Sequence, residues 1–85
     1  MKNNNVIKID AEMLIKENWK FVIGEEENHT PKRVRDLAMS DVSDWDAFVH
    51  TWKEEYNATD EDFNELKKYI QNMSDNEVLS LKTAF

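Results

Sequence analysis

The sequence predicts an all-α fold: a small bundle of four to five short helices behind a loose N-terminal arm. Two observations carry this. One glycine and one proline in 85 residues leave too little turn chemistry for a many-stranded sheet. Cap-forming residues recur at Thr30, Ser43, Thr59 and Ser74, and apolar residues at helical spacing follow each of them.

Residues 1–9 read as a flexible or extended arm and residues 10–85 as a single helical domain, since a chain this short has no room for a second core. Asp10 is the predicted cap of the first helix. Its apolar arc is Ala11, Leu14, Ile15, Trp19 and Val22, with Gly24 just past the end. The same stretch admits a rival: Val6–Ile9 and Trp19–Ile23 as strands of a short hairpin, making the fold α+β. Trp19, Phe21 and Ile23 alternate, and the segment is rich in strand formers. Residues 25–29 read as a loop.

Thr30-Pro31 places a capping hydroxyl before a proline at the first helical position, ahead of Val34, Leu37 and Ala38. Ser43-x-x-Asp46, Thr59-x-x-Asp62 and Ser74-x-x-Glu77 resemble capping boxes that start three further helices. Their apolar stripes are Trp45, Phe48, Val49, Trp52 and Tyr56, then Phe63, Leu66, Ile70 and Met73, then Val78, Leu81 and Phe85.

The absence of cysteine excludes disulfides, thiolate metal sites and thiol nucleophiles. It fits a reducing, cytoplasmic location. No apolar run exceeds three residues, so neither a leader peptide nor a membrane span is expected. Asp60-x-Asp62-x-Asn64 copies the start of a calcium loop, but Glu65 stands where that loop needs glycine. His29 and His50 have no ligand-spaced partner. No phosphate-binding glycine loop or nucleophile elbow is present. No catalytic, metal or cofactor-binding residue is therefore assigned, and the chain is expected not to be an enzyme.

The net charge of −7 is unevenly placed. Residues 41–65 hold nine carboxylates and one base, Lys53; the other sixty residues hold nine acids and ten bases. Asp44 and Asp46 fall in the predicted first turn after Ser43, and Asp60, Glu61 and Asp62 in the turn after Thr59, where the helix dipole favours acids. Asp41, Glu54, Glu55 and Glu65 have no such local reason. An ordinary exposed helix mixes signs, because like charges four residues apart, such as Glu61 and Glu65, repel. Twenty-five helical residues span roughly 37 Å, about one net negative charge per 5 Å, against about one per 3.4 Å along a DNA strand.

In size and charge the chain resembles the small acidic phage proteins that occupy the DNA groove of restriction or CRISPR enzymes. That likeness implies a non-catalytic DNA mimic from a phage or mobile element. Its partner would be a basic, nucleic-acid-processing enzyme, with no direct contact to nucleic acid or membrane. Asp41, Asp44, Asp46, Glu54, Glu55, Glu61 and Glu65 would face that partner, with Trp52 as an apolar contact. The alternative is a helical adaptor or accessory subunit that binds through its aromatic residues, and a second copy of the chain is a further candidate partner. The one basic cluster, Lys32, Arg33 and Arg35, lies close to Asp36 and Glu25–Glu27, so intramolecular pairing or contact with a partner is expected there; a small nucleic-acid binder that uses these three residues is the third reading. Thr30–Val34 also resembles the TP-x-R-V helix start of GTP cyclohydrolases. That family's zinc ligands have no counterpart in this chain, and the activity is not carried over.

Overall fold

The computed structural model describes residues 4–27 and 29–84, and every regular element among them is helical. Five α-helices follow in order: α1 (Asn4–Val22), α2 (Pro31–Asp44), α3 (Asp46–Glu55), α4 (Asp60–Gln71) and α5 (Asp75–Ser80). A 3-10 turn, Leu81–Ala84, comes last. The all-α prediction holds. Helices α1, α2 and α4 pack against one another as the centre of the bundle; α3 and α5 both lean on α2, and the 3-10 turn packs on α1.

α1 begins six residues before the predicted cap, so Asp10 lies within the helix. The predicted arm therefore does not extend through residue 9, and its first three residues lie outside the described ones. The reason is Ile7, which extends the buried stripe Ala11, Leu14, Ile15, Trp19 and Val22 by one more turn. The hairpin alternative fails at its own signal. On a strand Trp19, Phe21 and Ile23 would share a face, but Trp19 is in the core while Phe21 and Ile23 are exposed. Residues two apart on a helix point to nearly opposite sides. Gly24, at φ 93°, ends the helix in a conformation that side chains resist, and the Glu25 N–H donates to the Val22 carbonyl.

α2 starts as predicted: the Thr30 hydroxyl accepts the Arg33 N–H at 3.2 Å, and Pro31 follows the cap. It does not stop at Ser43. Val34, Ala38 and Val42 are buried at four-residue spacing, and the helix continues to Asp44 to keep that face on the core. Trp45 alone is non-helical between α2 and α3, and α3 begins without a side-chain cap. The Ser43-x-x-Asp46 box therefore does not form. Asp44 sits in the last turn of α2, where the dipole opposes a carboxylate, rather than in the first turn of α3.

The other two boxes do form. The Ser74 hydroxyl accepts the Glu77 N–H at 3.1 Å. The Thr59 hydroxyl accepts the Asp62 N–H at 3.3 Å, and the Asp62 carboxylate accepts the Thr59 N–H at 2.8 Å. That backbone bond holds the buried Asp62 carboxyl below the usual carboxylate range, against the opposing effect of burial. A depressed folded value means stability that is complete above about pH 3.9 and disappears as pH falls through the folded value. Asp62→Asn, measured by urea unfolding, is expected to be less stable than wild type at neutral pH. The gap should close as pH falls below about 4. Parallel pH profiles would remove the capping carboxylate from the account.

The core joins Leu14, Ile15 and Trp19 of α1 to Val34 and Val42 of α2, Trp52 of α3, Leu66 and Ile70 of α4, and Val78 of α5. Both buried indoles have polar partners. Trp19 Nε1 donates to the Val78 carbonyl at 2.8 Å, and Trp52 Nε1 donates to an Asp10 carboxylate oxygen at 2.6 Å. Each bond links helices far apart in the chain and meets the need of a buried donor.

Candidate partner-binding face

The predicted contact residues do not all reach solvent. Trp52 is 1% exposed. Its ring lies 5.2 Å from Phe48 and 5.3 Å from Phe63. It belongs to the core and cannot serve as an anchor for a partner. The stripe that contains it rotates out of the core at both ends, so Trp45 and Tyr56 are the exposed members. Asp62, an acid of the same segment that was not a predicted contact, is withdrawn into the capping box.

Asp44, Asp46, Glu54, Glu55, Glu61 and Glu65 are exposed, and Asp41 is half-buried. Asp44 and Asp46 flank Trp45 at the α2–α3 junction. Glu54 and Glu55 end α3, about 15 Å along its axis. The acids do not make one unbroken ladder. The depression beside α3 and α4 is lined by Asp60 but also by Lys53 and Lys67, so a base from beyond the acidic segment folds back alongside it. Glu65 lines a different depression on the other flank of α4, with Ile7, Lys68 and Tyr69.

Pairing still leaves the acidic side in surplus. Asp44, Asp46, Glu54, Glu55 and Glu65 form no ion pair among the described residues. Ion pairs among the described residues include Glu17–Lys20 at 3.6 Å, Lys32–Asp36 at 2.9 Å and Arg35–Asp75 at 2.6 Å. Two residues of the basic cluster are thus occupied internally: Lys32 with the neighbouring Asp36, as the sequence suggests, and Arg35 with Asp75, which the sequence did not indicate.

Arg35 is the more consequential of the two. It also donates to the Met73 carbonyl at 3.3 Å, tying α2 to the start of α5. Arg35→Ala is expected to cost about 1–2 kcal/mol in thermal or chemical unfolding, because a largely covered guanidinium loses a charged and a carbonyl partner. Lys32→Ala, in an exposed pair, should stay within about 0.5 kcal/mol of wild type. Equal effects would contradict the tie.

Three residues that were not among the predicted contacts shape the groove between α1 and α2. Phe21, at 68%, and Trp45, at 39%, are exposed aromatics on either side of a groove between α1 and α2. Asn18 is buried in the α1 stripe; its amide donates to the Leu14 carbonyl at 2.8 Å and to the Asp41 carboxylate at 2.9 Å. A polar residue at a core position was the available signal for it. Asn18 falls three residues after Ile15, among apolar residues, where an amide needs a specific partner.

The two histidines sit apart. His29 packs against Trp19 with ring centroids 5.2 Å apart, and His50 is exposed. Among the described residues no three His, Asp or Glu side chains converge as a metal site. Among them no helix is long and apolar enough to cross a membrane. Compared with known proteins, the chain matches no family model, no curated protein and no solved structure.

Proposed function

We propose that the protein is a non-catalytic inhibitor whose acidic side occupies the basic, nucleic-acid-binding groove of an enzyme. Restriction and CRISPR enzymes are the type of target, and a phage or mobile-element origin goes with that reading. One observation supports it most: Asp44, Asp46, Glu54, Glu55 and Glu65 stand exposed with no ion pair among the described residues. Asp44 does so at the end of α2 where the helix dipole disfavours it. Charge kept against local electrostatics serves something other than the fold. The partner's Arg and Lys residues would take the place of the missing cations, and association would be fast and salt-sensitive.

The test is affinity capture from host lysate, identification of the bound protein, and titration of the purified pair against salt. A nucleic-acid enzyme is expected, displaced from its nucleic acid by this protein, with affinity that falls steeply as ionic strength rises. The exposed rings of Phe21, Trp45 and Tyr56 favour a second reading, an adaptor that binds through aromatic contacts. A partner held with little salt dependence would support the adaptor and count against the mimic.

A further inference from the structure

The groove between α1 and α2 combines two features, a carboxylate and aromatic rings. The first is a positioned carboxylate. Asp41 is half-buried, and one of its oxygens accepts the Asn18 amide. Asn18 is itself only 5% exposed, and its amide nitrogen is held by the Leu14 carbonyl as well, which fixes its direction. A carboxylate has about four acceptor positions, and a neutral amide fills one without offsetting the charge. Asp41 has no cationic partner among the described residues.

The second feature is aromatic. Phe21 and Trp45 line the same groove as Asp41, together with the half-buried Leu37. A groove with carboxylate acceptors and flat apolar sides has the complementary chemistry of a guanidinium. Arg pairs bidentately with carboxylates and stacks on rings, whereas Lys brings only a compact, strongly hydrated charge.

We propose that this groove receives an arginine side chain of a partner protein, its guanidinium bound to Asp41 and stacked against Trp45 and Phe21. The inference rests on the reading that the partner is basic, and it names one point of contact. The contact differs in kind from the exposed acids of α3 and α4. Those attract at a distance, while Asp41 is held in place before the partner arrives and fixes the register of docking.

The test uses the whole protein, labelled with nitrogen-15, and the peptide acetyl-Ala-Arg-Ala-amide followed by NMR. Saturable shifts are expected in the millimolar range, as suits one side chain. They should centre on the Trp45 indole, the Asn18 side-chain amide and the backbone of residues 21, 37 and 41. The lysine peptide should bind at least threefold more weakly, and the citrulline peptide, which has the shape without the charge, should not saturate. Asp41→Asn keeps an acceptor for Asn18 and so keeps the fold, yet it should abolish the preference for arginine over citrulline. Phe21→Ser, at an exposed site, should weaken arginine binding severalfold. Several results would overturn the proposal: no saturable shift, equal response to arginine and lysine, shifts spread over Glu54, Glu55 and Glu65, or an Asp41→Asn variant that titrates as wild type. A variant that neutralises exposed acids outside the groove (Asp44→Asn, Glu54→Gln, Glu55→Gln and Glu65→Gln together) should still bind the arginine peptide here. Undiminished partner capture by that variant would count against the acidic-face reading alone.

Discussion

Trp52→Ala should destabilise the protein by about 3–5 kcal/mol, a large share of the roughly 4–13 kcal/mol that a domain of this size has in total. The ring is 1% exposed and bridges Phe48 of α3 to Phe63 of α4, so its removal leaves a cavity between two helices. A polar loss adds to the apolar one. The Asp10 carboxylate accepts the indole N–H at 2.6 Å and would lose that partner in a partly covered setting. Trp52→Phe separates the two effects: it fills most of the volume but cannot donate, and about 1–3 kcal/mol is expected from it. Urea unfolding followed by circular dichroism measures both. An unchanged midpoint for Trp52→Ala would mean that the ring is not packed as described.

The second large effect concerns binding. Asp44→Asn, Glu54→Gln, Glu55→Gln and Glu65→Gln together remove four exposed charges that have no ion pair among the described residues. The fold should stay within about 1 kcal/mol of wild type or gain slightly, since repulsion falls and Asp44 no longer opposes the α2 dipole. Affinity for the captured partner should fall at least about tenfold, chiefly through slower association, and its salt dependence should flatten. Lys32→Gln with Arg33→Gln is the control, with Arg35 left in place because it holds α5 to α2. Surface plasmon resonance at several salt concentrations reads each arm. Normal binding by the acidic variant beside failure of the basic one would move the contact to residues 31–35.

Where a cap and an apolar period coincided, the sequence was sufficient. Thr30, Thr59 and Ser74 start helices as their residue types predict, because the information is local: a hydroxyl and an N–H three residues on. Ser43 misled for a reason that is not local. Its hydroxyl suits a cap, but the core contact of Val42 keeps the backbone helical past it. Ile7 was passed over because four polar residues precede it on the way from Met1, and only packing makes it a core position. The candidate site was legible as charge and not as shape. A five-residue stripe from Trp45 to Tyr56 does not say which rings are covered. That depends on how deeply α1 and α4 approach α3, which placed Trp52 inside and left Trp45 out. Lys67 entered the acidic side only through the chain's return in α4.

The two indole hydrogen bonds also bear on how the chain reaches this state. Trp19 is matched by Val78, 59 residues later, and Trp52 by Asp10, 42 residues earlier. For a helical protein these are distant pairings, and closing such loops slows folding relative to bundles held by neighbouring helices. During synthesis α2 can cover part of the apolar stripe of α1, but the stripe is closed only when α4 and then Val78 have been made. Until then part of the stripe of Leu14, Ile15 and Trp19 stays uncovered, a transient surface suited to chaperone binding. The six-residue α5, too short to persist alone, arrives as the closing piece of the bundle, after which the molecule folds as one cooperative unit.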